Sequence, residues 1–279
     1  MRRGAPELNV GADFLPRLGS ALVLAPLVIA AATWGGRPFV LLCFLASLML
    51  LWEWAKMARL PRLPVLIALG GGGIAVALFA LVAGRPLLAL ALPVGALAAA
   101  LITRGAPSLR AWALVGVLYA GALAFSLTRL RLDLGYGLIA IVWLLAVVWS
   151  TDIAAYFCGR LMGGPKLWPR VSPNKTWSGA IGGALFAVGA GMLTVWLAGI
   201  DSSLLAAPAA LAASACSQAG DLFESAMKRR FGVKDSSHLI PGHGGLMDRL
   251  DGLVAAAAFA CLLGLLRNPA SPAAGLLVW

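Results

Sequence analysis

The sequence is short of charge: 12% of its 279 residues are charged, and acidic side chains number only 11. Soluble domains carry about 25% charged and roughly 45–50% apolar residues, so a chain that is 61% hydrophobic departs toward lipid, not toward disorder. Cysteine is sparse too. Cys43, Cys158, Cys216 and Cys261 lie in or beside apolar stretches, with no CxxC pair and no zinc-like spacing to His238 or His243. No disulfide framework is implied. Outside Lys228 to Arg230 there is no basic run, so the formal charge of +11 does not describe a nucleic-acid-binding surface. The basic residues fall in short gaps between apolar stretches, where membrane-flanking charges belong. Internal repeats, a soluble domain and linkers are also missing.

What is present is a succession of apolar stretches, at 18–35, 38–55, 63–83, 86–103, 110–128, 135–157, 178–199, 203–223 and 252–266. A helix needs about 17–25 residues to cross roughly 30 Å of hydrocarbon, so the expected fold is all-α, a polytopic membrane protein of about nine transmembrane helices. Placing the N-terminus inside puts 17 Lys and Arg on the inner side and 5, namely Arg37, Arg85, Arg129, Arg131 and Arg267, on the outer side. Cytoplasmic loops carry such an excess, which predicts a cytoplasmic N-terminus and an outside C-terminus. A cleavable signal peptide is the alternative for the first stretch, which follows Arg17 and ends in small residues near Ala30; its length favours a retained anchor. The chain then divides into scaffold helices over 1–150 and a chemically equipped region over 151–279, with cytoplasmic loops at 159–177 and 224–251.

Ten charged residues and both histidines crowd between Asp221 and Asp251. If the helix of 203–223 continues past the membrane surface, Asp221, Ser225 and Lys228 share one face, and Glu224 can pair with Lys228. Pro241-Gly242-His243-Gly244-Gly245 breaks the helix and leads into a new one bearing Asp248, Arg249 and Asp251. Such a glycine-rich entry offers free backbone N–H groups to phosphate oxygens. Adjacent carboxylates suit magnesium, which favours one or two carboxylates plus phosphate oxygens and water. Carboxylates, clustered cations and a glycine turn together point to phosphoryl or nucleotidyl transfer, against the plain alternative of solvated juxtamembrane charges. Asp152 stands in the apolar run from Trp143 to Cys158, where an ionisable group is a functional candidate, or else a partner for Arg160. Ser172-Pro173-Asn174-Lys175-Thr176 offers hydroxyls and a lysine to anions, or simply caps the next helix. An ion-coupled transporter would need acidic residues across several spans in both halves; here the charge gathers in the last half only.

Residues Ser225-Ala226-Met227-Lys228-Arg229, Lys234-Asp235 and Pro241 to Asp251 follow the pattern S-x-x-K-R-x4-K-D-…-P-x-H-G-G-x-x-D-R-x-D. With Gly220-Asp221-Leu222-Phe223-Glu224 and the D-x-x-A-Y-x-x-G-R stretch from Asp152 to Arg160, this resembles the phosphatidate cytidylyltransferase (CDP-diacylglycerol synthase) family over roughly 150–252. The likeness implies condensation of CTP with phosphatidate to CDP-diacylglycerol and pyrophosphate, with magnesium, and a homodimer; a second cation stays open, and the alanine-rich composition points to a bacterial inner membrane. The likeness also implies roles. Asp221 and Asp248 are the first metal candidates, with Asp152 and Asp251 in support. Lys175, Lys228, Arg229, Lys234 and Arg249 would hold triphosphate or lipid phosphate, and Ser172 and Ser225 would add hydroxyls. His243, Gly244 and Gly245 would shape a phosphate turn, while Asp235 would orient a lysine or touch the nucleotide. The chain departs from the family at Asn174 and Ser178, where a lysine and a glutamate are usual. A polyprenol kinase using CTP is the neighbouring alternative. The CDP-alcohol phosphotransferase pattern D-G-x-x-A-R is not met after Asp251-Gly252.

Overall fold

A computed structural model describes residues 26–201, 203–237, 239 and 244–279. Residues 26–34 are helical; the rest of the first expected span, with His238, Pro241, Gly242 and His243, lies outside the described residues. The elements that follow are α1 (Gly36–Met57), α2 (Leu63–Val82), a 3-10 turn (Pro86–Leu90), α3 (Ala91–Ile102), α4 (Pro107–Arg131) and α5 (Gly137–Met162). Then come β1 (Lys166–Trp168), β2 (Ser172–Thr176), α6 (Trp177–Leu197), α7 (Ser203–Arg230), α8 (Met247–Arg267) and the short α9 (Pro272–Leu277). Among the described residues six helices, α1, α2, α4, α5, α6 and α8, are long and apolar enough to cross a membrane. The stretch Leu87–Ile102 is apolar but shorter. At 28 residues α7 is the longest helix, and its final turns carry Asp221, Glu224, Lys228, Arg229 and Arg230.

Two expected loops are shorter than their polar sequence suggests. α5 runs to Met162, because its chain reversal waits for Gly163 and Gly164, whose φ of 60° and 101° lie in the left-handed region glycine enters without strain. Beyond them the chain is not a coil. An antiparallel hairpin pairs Lys166 with Thr176 and Trp168 with Ser172, an addition to the all-α expectation. Thr176 then caps α6, its hydroxyl accepting the Gly179 N–H at 3.2 Å. Likewise α7 continues to Arg230 before Gly232 turns the chain with φ of 72°. The second loop is therefore 231–246.

The buried core is built on Trp54, Trp143, Leu50, Leu51, Leu66 and Ile74. Outward surfaces are equally apolar: Leu185, Phe186, Leu193 and Trp196 of α6 are all more than half exposed. Leaving each such side chain in water costs about 1.5–3 kcal/mol relative to burial, which lipid avoids. α7 and α8 meet through small residues. A Cβ on Gly220 would lie 2.6 Å from the Asp251 carbonyl oxygen, and one on Gly252 would lie 2.5 Å from Ser217 Oγ. That close approach sets Asp221 against Asp251.

At one end of the bundle stand the C-termini of α5 and α7 and the N-termini of α6 and α8. The opposite end is tied down by three of the five expected outer arginines. Arg131 donates to the carbonyls of Ala32 and Thr33, Arg129 to Pro269, and Arg267 to Gly275. These are carbonyls with no intrahelical partner, which a cation satisfies well. Asp133 accepts the Ser271 hydroxyl there. Burial pushes the Asp133 carboxyl up, but the Ser271 hydroxyl and the N–H groups of Tyr136 and Gly135 outweigh it and hold the pKa below the usual range.

Candidate active site

Where the polar helix ends meet the hairpin, a cavity of about 730 Å³ opens. α5 brings Asp152, Tyr156 and Arg160 to its wall; the hairpin brings Lys166, Asn174 and Lys175; α7 brings Gln218 and Asp221; and α8 brings Asp248, Arg249 and Asp251. Four segments spread from Asp152 to Asp251 thus converge. Lys175 reaches across from β2 and ion-pairs with Asp221, both side chains about 30% exposed. Ser225 Oγ stands 3.5 Å from the other oxygen of Asp221. Asp152 and Asp251 lie within charge–charge range of Asp221 and Lys175, and Arg249 within range of Asp152.

Behind this wall is a second set of contacts. Lys228 Nζ is forked between Glu224 Oε2 at 2.6 Å and Asp248 Oδ1 at 2.7 Å. The other oxygen of Asp248 accepts from Ser236 Oγ at 2.9 Å, Ser236 N at 3.0 Å and Gly245 N at 2.8 Å. Lys228 therefore anchors a cavity carboxylate from behind and does not line the cavity itself. Arg229, Lys234 and Asp235 are exposed, and with Ser172, Ser225, Gly244 and Gly245 they stand outside the cavity lining. His243 lies outside the described residues.

Among the described residues the N–H groups of Gly245, Leu246 and Met247 at the start of α8 are not free. Gly245 N–H donates to Asp248, Leu246 N–H to Glu53 Oε1 at 2.9 Å, and Met247 N–H to Glu53 Oε2 at 2.6 Å. A helix N-terminus attracts an anion, and here the chain supplies its own, a fully buried glutamate from α1. Gly245 is correspondingly a packing glycine: a Cβ would lie 2.0 Å from Ser236 Oγ and 2.5 Å from Glu53 Oε1. Gly244 keeps a turn role, with φ of 77°.

Glu53 is the residue that sequence reasoning missed. The signal was there: it is an ionisable group at the end of the apolar stretch 38–55, the criterion that singled out Asp152. Arg160, Lys166 and Asn174 were also underweighted as cavity residues. Asn174 puts a neutral amide in the wall at the position where the resemblance expects a lysine, whereas Ser178 is used locally, donating to the Gly163 carbonyl.

A hard divalent cation fits this donor set. Among the described residues no three His, Cys, Asp or Glu side chains form a closed cage. Magnesium does not ask for one, since it takes one or two carboxylates and completes its shell with phosphate oxygens and water. Within the cavity Asp221 holds the ammonium group of Lys175, a cationic partner of the kind such a carboxylate calls for.

Apolar helices, with carboxylates, ammonium groups and guanidinium groups gathered in one cavity at their polar ends, define a membrane-embedded transferase acting on anionic groups. The chain belongs to the cytidylyltransferase family, whose model matches residues 16–266. It is 45% identical over 256 residues to the phosphatidate cytidylyltransferase of Brucella suis biovar 1, covering 89% of this chain and 92% of that protein. The phosphatidate cytidylyltransferase of Haemophilus influenzae is 40% identical over 148 residues, half of each chain. That of Bacillus subtilis is 44% identical over 117 residues, 42% of this chain and 44% of the relative.

Proposed function

We propose that this chain is a phosphatidate cytidylyltransferase, joining CTP and phosphatidate to give CDP-diacylglycerol and pyrophosphate at the cytoplasmic face of a bacterial inner membrane. The observation that carries the reading is the convergence of Asp152, Lys175, Asp221, Asp248, Arg249 and Asp251 on one cavity at the helix ends. A diacylglycerol tail stays among apolar helices while its phosphate and CTP meet in that cavity. The phosphatidate oxygen attacks the α-phosphorus of CTP, a new P–O bond forms, the bond to the β-phosphate oxygen breaks, and pyrophosphate leaves. A lipid phosphate is already an anionic nucleophile, so neutralisation and alignment matter more than a strong base. Lys175 and Arg249 hold triphosphate oxygens, with Arg160 and Lys166 placed for a second phosphate. Asp221 and Asp248, with Asp152 and Asp251 beside them, would hold magnesium, which when bound neutralises charge on the phosphates and the leaving group.

The reading includes nine spans, the described helices together with the segment before residue 26, a cytoplasmic N-terminus and an outside C-terminus. A homodimer belongs to the same proposal. Purified protein in detergent, given labelled CTP, phosphatidate and magnesium, is expected to yield CDP-diacylglycerol and pyrophosphate in equal amounts. A folded sample that forms neither overturns the reading. For orientation, Lys234→Cys with Cys158 and Cys216 replaced by serine should react with an impermeant maleimide only from the cytoplasmic side; reaction from outside would invert the topology.

A further inference from the structure

We infer that Glu53 is a positioning residue of the transfer site, the buried anion that seats Ser236, Ser237 and the start of α8 and through them fixes Asp248. Glu53 lies on α1, in the half of the chain that otherwise serves as scaffold, and is 0% exposed. Four donors converge on it from the opposite half of the sequence. They are the N–H groups of Leu246 and Met247, the Ser237 hydroxyl at 2.6 Å and the Ser236 hydroxyl at 3.2 Å.

Burying a carboxylate is costly unless its lone pairs are satisfied, so this set of partners holds Ser236, Ser237, Leu246 and Met247 in one geometry. Ser236 carries the coupling. Its single hydroxyl proton faces both Glu53 Oε2 and Asp248 Oδ2, the latter at 2.9 Å, while its backbone N–H donates to Asp248. Gly245 admits Glu53, since any side chain there would collide with the carboxylate. The carboxylate is itself braced, because its neighbour Trp54 stacks on Phe223 of α7 at 6.2 Å and donates its indole N–H to the Trp112 carbonyl. One side chain thus links α1, the loop, the start of α8 and the cavity carboxylate.

The kinetic arm of the test rests on the cytidylyltransferase reading; the exchange arm does not. Glu53→Gln keeps the shape but removes the charge and sets an NH2 group against N–H donors. The expected result is a monodisperse protein in which amides 236–247 exchange hydrogen about tenfold faster. With them kcat falls about 10–100-fold, the range seen when a partner that orients a catalytic group is lost. KM for CTP should stay within about threefold, because the triphosphate cations are untouched. Glu53→Asp, which keeps the charge one methylene short, should recover part of kcat. Unchanged kcat, a raised KM with kcat intact, or a fall in kcat with parental exchange over 236–247 would each overturn the inference. If Glu53→Gln does not fold, Ser237→Ala carries the test: faster exchange at 245–247 with lower kcat supports it, and parental exchange defeats it. Should the parent protein make no CDP-diacylglycerol, the functional reading falls while the exchange arm still decides whether Glu53 holds the loop.

Discussion

Asp221→Asn lowers turnover by about three orders of magnitude or more while leaving the protein folded, in the expected outcome of steady-state assays with CTP and phosphatidate. Asp221 is where the site's charges meet: it pairs with Lys175, accepts from Ser225 and faces Asp152 and Asp251. Asparagine preserves the volume, so the α7–α8 contact through Gly220 survives and the melting temperature should move little. What disappears is the anion paired with Lys175 and, on the proposed function, one hard oxygen ligand for magnesium. Groups that act on charge developing during transfer are felt in kcat more than in KM, and the loss should not be recovered by raising CTP. Raised magnesium should restore only a small part. A variant that keeps more than a tenth of the parental kcat would remove Asp221 from the metal site.

How far the sequence speaks depends on what kind of signal each residue leaves. Hydropathy is a bulk property of some 20 residues, so eight of the nine expected stretches coincide with described helical elements, and only residues before 26 lie beyond comparison. Lone acids in greasy surroundings are also conspicuous, which is why Asp152 stands out in the sequence; it lines the same cavity as Asp221 and Lys175. Three-dimensional convergence leaves fainter marks. Glu53 lies three residues from Lys56 at the end of an apolar stretch, and only its four hydrogen bonds to residues about 190 positions away reveal its use. Nor can a glycine motif say which anion it admits. Gly244-Gly245 before a helix reads as a phosphate turn, yet the carboxylates received there are those of Glu53 and Asp248. The hairpin at 166–176 escaped because three to five paired residues around a turn carry no period, and its polar side chains look like loop.

Lys228→Met should cost about 3–5 kcal/mol of stability, the usual penalty when one member of a buried ion cluster is removed and its partner is stranded. Lys228 is 14% exposed and compensates two acids, Glu224 at 1% and Asp248 at 9%. The two would not suffer equally. Asp248 keeps three donors, from Ser236 and Gly245, whereas the charged contact of Glu224 is Lys228 itself, at 2.6 Å. For a chain of this size that penalty corresponds to a fall in melting temperature of roughly 10 °C, measurable by tryptophan fluorescence in detergent. Adding Glu224→Gln removes the buried acid left without its cation, so the double variant should regain about half the lost stability. Activity should not return with it, because Asp248 has then lost its cation and the charge balance of the cavity wall has changed. Equal melting of single and double variants would show that Glu224 does not depend on Lys228. Full recovery of both stability and turnover would show that Lys228 serves the fold alone.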